Sequence, residues 1–348
     1  MEETAPEGAV SYCGGARASG GRENACTPVP CRAVLSQSDA LMDIFIQQLI
    51  NGVTVGAVYA MVALGYTMVF GIIQLINVAH GEVVMIGAMV AFTIINALSG
   101  SGLPPLFIVT IATACAIPVC MFLGFAMERV AYRPLRTAPR LASLITAIGV
   151  SIILQHLALI IWSRNPLAFP QIIQIESFHI GEATITNVQL AIIGISTLIM
   201  AALAWLVYRT RLGAAMRATA QNAPIAGLMG IDANHVIAMT FVIGAGLAAV
   251  AGVMVASYYG IAHYTMGANL GLKAFCAAVL GGIGNLPGAM LGGVLLGVVE
   301  ALGAGYIGDL TNNVFGSNYQ DVFAFIVLIL VLVFRPSGLL GERVGDRA

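Results

Sequence analysis

Few side chains in this sequence could do chemistry, and most of them interrupt apolar text. Glu82, Lys273 and Glu300, with His80 beside the first, are ionisable groups set among Ala, Val, Leu, Ile and Gly. Such groups are costly in hydrocarbon, so they mark either a polar path or a paired structural site. Glu82 closes the string Asn77-Val78-Ala79-His80-Gly81-Glu82, which breaks an apolar stretch after Gly71 and before Met85. A bilayer tolerates such a break only where protein or water covers the freed backbone, and breaks often line the route of a solute. The same string also reads as a turn or N-cap for a helix starting at 83, with Glu82 near the positive end of its dipole. A second break, Gly284-Asn285-Leu286-Pro287-Gly288, adds Asn285 to Asn77 as a polar candidate. Lys273 is the single lysine and has no acidic neighbour in sequence, so its partner is Glu82 or Glu300 across helices. It reads first as half of a structural ion pair and second as a coupling site.

Other chemistries find no residues. There is no HExxH, GxSxG or carboxylate pair at catalytic spacing, so no catalytic residue is assigned. His156, His179, His235 and His263 form no pair at metal spacing, and no metal site is expected. Cys13, Cys26 and Cys31 lie in a polar leader, whereas Cys115, Cys120 and Cys276 lie in apolar segments, where thiols behave as small hydrophobes.

The elements that must hold these residues are apolar helices. Of 348 residues, 59% are hydrophobic and 9% charged, against about 25% charged in an ordinary soluble domain. That excludes a soluble enzyme and a disordered chain. A net charge of −1 leaves no basic footprint for nucleic acid. Clear apolar segments cover 44–70, 104–128, 141–162, 187–208 and 236–260, with shorter or broken ones at 83–98, 272–283, 286–306 and 320–334. The fold class is an all-α polytopic membrane protein with eight or nine transmembrane helices, some short or broken.

Arginines orient it. Arg129, Arg133, Arg136 and Arg140 share one loop, Arg209, Arg211 and Arg217 another, and Arg335, Arg343 and Arg347 the tail. The positive-inside rule puts these, and the C-terminus, in the cytoplasm. The stretches 163–186 and 305–320 are then exterior, and the 284–287 turn is near the cytoplasmic side. Residue 44 is outside if 83–98 crosses fully, and inside if it does not. Small residues recur at packing intervals: Gly52 with Gly56; Gly284, Gly288 and Gly292; Gly293 with Gly297; and Ala245, Ala248, Ala249 and Gly252. They serve tight internal packing or, as a sharper reading, a subunit interface.

Residues 1–41 are rich in Gly, Ala, Ser, Pro and charge and contain no apolar run. They read as a disordered or non-native extension, with Met42 as the natural start. Residues 42–340 make the transmembrane domain and 341–348 a cytoplasmic tail.

The cytoplasmic loop 209–235 is long for a connector. Pro224 suits the first turn of a short helix, Ile225, Leu228 and Met229 share one face, Gly230 suits the stop, and Asp232 suits the N-cap of the next span. That short helix either docks on its own protein at the membrane surface or plugs into a cytoplasmic partner. The loop resembles the coupling loop of ABC-importer permeases, with Ala220, Gly227 and Gly230 at the small-residue positions and Arg211 and Arg217 leading in. Gln48 to Gly52, Gly65 to Ile73, Ile76 to Glu82 with Met85-Ile86-Gly87, Glu128 to Pro134 and Ala277 to Gly284 resemble LivH-type permeases of branched-chain amino acid importers. The match runs in order from about Met42 to Leu340; the leader departs from it. The resemblance implies ABC-importer permease architecture, a bacterial inner-membrane location, and a complex with a second related permease, two ATPase subunits and a periplasmic binding protein. Permeases for other small amino acids, short amides or urea share much of the pattern. An ion-coupled transporter worked by Glu82, Lys273 and Glu300 is the rival of a different class. Lys273 is followed by Ala274 and no GxxxxGK[ST] exists, so ATP has to be bound by a partner and no cofactor by this chain.

Overall fold

The computed structural model describes residues 32–75, 77–136, 138–171, 176–180, 183–310, 319–335 and 337–341. The chain divides into two units, 1–40 and 41–348. Of the first, only the leading turns of helix α1 (Arg32–Ile73) are described. Residues 1–31 with Cys13, Cys26 and Cys31 lie outside the described residues, as do Glu182 and the tail arginines Arg343 and Arg347.

The second unit is helical. After α1 come α2 (His80–Leu98), α3 (Pro105–Met127), α4 (Arg140–Ile161), α5 (Asn187–Arg209), α6 (Arg211–Gln221), α7 (Ala223–Leu228), α8 (Ala233–Tyr259), α9 (Met266–Gly281), α10 (Leu286–Leu310) and α11 (Gln320–Phe334). Two small antiparallel ladders, β1 (Leu167–Ala168) with β4 (Ile261–Ala262) and β2 (Ser177–Ile180) with β3 (Ala183–Thr186), lie between them. Among the described residues, seven helices are long and apolar enough to cross a membrane, and Met266–Gly281 and Ala324–Phe334 are shorter apolar helices. The chain is thus an all-α polytopic membrane protein, and the short segments are α9 and α11. The α2 span begins three residues earlier than the apolar run indicates because His80 to Glu82 are helical, and α9 begins at Met266 rather than 272.

Lipid exerts no hydrophobic force between helices, so they associate where small residues let backbones meet. The apolar windows of α1 and α8 are 78% and 72% buried, against 22% for α3, α4 and α5. A Cβ on Gly56 would stand 2.8 Å from the Cα of Val294, one on Gly52 2.7 Å from that of Val298, and one on Gly87 2.7 Å from that of Ala249. Gly293 meets Ala60, and Gly288 and Gly292 meet Gly281. One ridge of α10 therefore packs on α9 and the other on α1. Ala245 meets Gly124, and Gly252 meets Val84, which seats α8 on α3 and α2. Every one of these contacts is internal.

The two ends of the bundle are distinct. At one end the Thr184 amide donates to Gln47 Oε1 at 2.8 Å, Gln189 Nε2 to Asn51 Oδ1 at 3.0 Å, and Trp162 Nε1 to Thr93 Oγ1 at 2.6 Å. β1 pairs with β4 there, tying the 163–186 stretch to the α8–α9 connection. At the other end Gly71 approaches Gly284, and Arg136 Nη1 donates to Asn234 Oδ1 at 2.6 Å. Residues 337–341 lie across the α9–α10 turn: the amides of Leu339 and Leu340 donate to the carbonyls of Leu280 and Gly281 at 2.9 and 3.0 Å, and Asn285 Nδ2 to that of Leu340 at 2.7 Å. The start of α1 therefore shares an end with the 163–186 stretch, and α2 runs onward from the break to that same end. Among the described residues α2 is long and apolar enough for a full crossing.

Candidate functional site

The first break is short and covered. α1 stops at Ile73, Gln74 takes φ 55°, and α2 restarts at His80. Asn77 and His80 are each only 3% exposed. Tyr132, carried on the turn after α3, donates its hydroxyl to Asn77 Oδ1 at 2.7 Å and packs on Phe241. His80 lies edge-on to Tyr66, ring centroids 4.9 Å apart, over Gly65, where any Cβ would collide with the imidazole. The ring needs Gly65 for space. A recess lined by Tyr66, Phe70, Asn77, Phe275, Ala278 and Ile283 opens beside the break.

Glu82 is fully buried in the first turn of α2. It does not cap the helix; the N-cap position is Ala79, without a side-chain bond. Its Oε1 instead accepts from Ser151 Oγ at 3.0 Å and Gln155 Nε2 at 2.7 Å, both on α4. Its Oε2 sits against Gly267, where a Cβ would be 2.6 Å away.

Lys273 and Glu300 do meet. Nζ lies 2.7 Å from Glu300 Oε1 on α10 and 2.6 Å from Asp321 Oδ1 at the start of α11, with the Tyr59 ring 5.8 Å away. Sequence reasoning missed Asp321, which opens its helix and looks like an ordinary first-turn acid. It also missed Ser151, Gln155 and Tyr132, whose partners lie 69, 73 and 55 positions away. Glu128 pairs with Arg136, and burial lowers the pKa of that guanidinium from its ordinary value.

The 209–235 loop holds two helices. Thr210 caps α6, its hydroxyl accepting from the Gly213 amide at 3.1 Å, and Arg217 donates to the Val207 carbonyl, so α6 is fastened to the end of α5. Asn222 Oδ1 accepts from the Ile225 amide at 3.1 Å and caps α7, with Pro224 in the first turn. Gly230 takes φ 84°, and Asp232 Oδ1 accepts from the Asn234 amide at 2.9 Å. Ile225, Leu228 and Met229 are 56%, 87% and 79% exposed. Gly227 has open space at its Cβ, and Arg211 faces outward. Ala220 and Arg217 line a recess with Thr67, Gly71, Gly284 and Leu286, which places α6 beside the end of α1 and the second break. The structure thus gathers the loop and Asn285 at one end, Asn77, His80 and Glu82 at the first break, and Lys273 with Glu300 in a third place. Among the described residues, no three His, Cys, Asp or Glu side chains are placed to hold a metal ion.

Comparison with known proteins follows the same lines. The permease protein BraD of a high-affinity branched-chain amino acid transport system in Pseudomonas aeruginosa is 48% identical over 304 residues, 86% of this chain and 96% of that protein. LivH of Escherichia coli (strain K12), a permease protein of the same description, is 45% identical over 304 residues with the same coverage. A probable branched-chain amino acid transport permease LivH of Methanocaldococcus jannaschii is 26% identical over 300 residues, 81% of this chain and 88% of that protein. No solved structure matches. The family model described as branched-chain amino acid transport system / permease component matches residues 48–332, and the chain belongs to that family.

Proposed function

We propose that this chain is the permease subunit of an ATP-binding-cassette importer carrying Leu, Ile and Val across the bacterial inner membrane. A second related permease completes the pathway, two ATPase subunits bind ATP, and a periplasmic binding protein delivers the solute to the 163–186 end. The arginine-bearing end, with α6, α7 and residues 337–341, faces the cytoplasm. Asn77 and His80 at the first break and Asn285 at the second are the polar groups offered to the path. Lys273 and Glu300, closed on each other and on Asp321, serve packing.

The observation that carries this reading is α7. Three large apolar side chains stand in solvent on a loop whose every turn and cap is specified, which is the form of a plug for another protein's socket. Replacing Ile225, Leu228 and Met229 together by Ser removes little internal packing, so the membrane domain should fold. Leucine uptake by the reconstituted complex should be abolished and the ATPase subunits should no longer co-purify. A triple variant that assembles and transports would refute the assignment. Calorimetry on the cognate binding protein identifies the solute.

A further inference from the structure

A buried acid in a membrane transporter is read by default as a solute or proton site. Glu82 has a different geometry. Both of its hydrogen bonds arrive at one oxygen, Oε1, and both donors, Ser151 and Gln155, stand one turn apart on α4. The other oxygen is held against Gly267 and has no hydrogen-bond partner. No cation lies in its bonding set. The helix it reaches is peripheral: α4 has a 22% buried apolar window and exposes Leu141, Ile145, Ile153, Ile160 and Ile161. Such a helix finds little packing force in lipid and needs polar or small-residue contacts to be located. A second fastening lies further along the same pair, where Trp162 Nε1 at the end of α4 donates to Thr93 Oγ1 on α2.

We propose that Glu82 is a positioning residue that acts through α4: its Oε1 is a twofold acceptor that fixes the register of α4 on α2. With Thr93–Trp162 it makes α2 and α4 one body. That body joins the first break to the 163–169 stretch, whose β1 is paired with β4. Displacement of the exterior stretch is thereby carried to Asn77 and His80. What Glu82 needs is an acceptor at the right reach, and its charge is not used. This inference rests on the transport reading given above.

The test is a pair of opposed substitutions in the complete reconstituted complex, with leucine as the probe. E82Q keeps reach and acceptor and loses the charge; E82D keeps the charge and pulls the acceptor back by one methylene, out of bonding range. E82Q should retain uptake within about two-fold, whereas E82D and the double variant S151A/Q155A should lose about ten-fold or more, the cost of two buried bonds. The loss should fall on the maximal rate, with the half-saturating concentration and the yield of complex unchanged. E82D working while E82Q fails would overturn the proposal, as would both failing, both working, or S151A/Q155A transporting normally. Should E82D not assemble, S151A/Q155A carries the comparison with E82Q. Thermal unfolding of the complex ranks the same variants without any transport. The unsubstituted and E82Q complexes should match, and E82D and S151A/Q155A should melt lower; another order would overturn the fastening even if leucine proved not to be the solute.

Discussion

Lys273 shows how a lone charge survives among apolar helices. Its ammonium is held by Glu300 and Asp321, so α9, α10 and α11 are joined through one atom. Removing one partner of a buried pair leaves the other uncompensated, which costs about 3–5 kcal/mol. Lys273→Met should therefore lower the thermal midpoint of the complex sharply, and adding Glu300→Met should restore part of it, since Asp321 still lacks its cation. A double variant no more stable than the single one would mean that the pair is not the unit. Tyr132→Phe is a milder case: it strips Asn77 of its donor and should cost about 1–3 kcal/mol, read in the same assay. At this scale the sequence was legible where partners are neighbours. Pro224, Gly230 and Asp232 act within a few residues of themselves, and the caps and stop expected of them are present. Ser151, Gln155, Tyr132 and Asp321 acquire meaning only when distant helices meet, and nothing in their own surroundings announces it.

Between helices, the glycines separate into those that are occupied and those that are free. Gly293 is pressed onto Ala60, whereas Gly149 on α4 has nothing near its missing Cβ. Gly293→Ala should wedge α10 off α1 and reduce the yield of folded complex. Gly149→Ala should be neutral or stabilising by up to about 1 kcal/mol, since it removes a helix-weakening glycine without a clash. Equal effects in a thermal-shift comparison would contradict the packing described. Periodicity in the sequence marked both ridges of α10 but could not say which helix each would meet; that depends on α1 and α9 flanking α10. The helix α6 was not expected at all. Its apolar residues are mostly alanines, and its start is marked only by Thr210, whose capping role depends on the Gly213 amide lying within reach.

For the whole molecule, the ends of the bundle are the checkable quantity. Cysteines placed at Phe178 and Leu228, both exposed, should label from opposite sides of intact cells. A membrane-impermeant maleimide should reach Phe178→Cys directly and Leu228→Cys only after permeabilisation. Labelling of both from one side would invert or break the proposed topology. Arginine placement sorts the loops into two groups, because an end-to-end charge bias survives as a one-dimensional pattern. The strap at residues 337–341 does not, since it is mainly a backbone pairing, joined by one distant side chain, Asn285. That strap has a bearing on how the protein is made. The carbonyls of Leu280 and Gly281 receive their strap amides from residues that are synthesised only after α10 and α11. Until then the α9–α10 turn lacks those bonds, so a chain cut short before Leu339 leaves that turn unfastened. Closure of the α9–α10 turn thus waits on the making of α11.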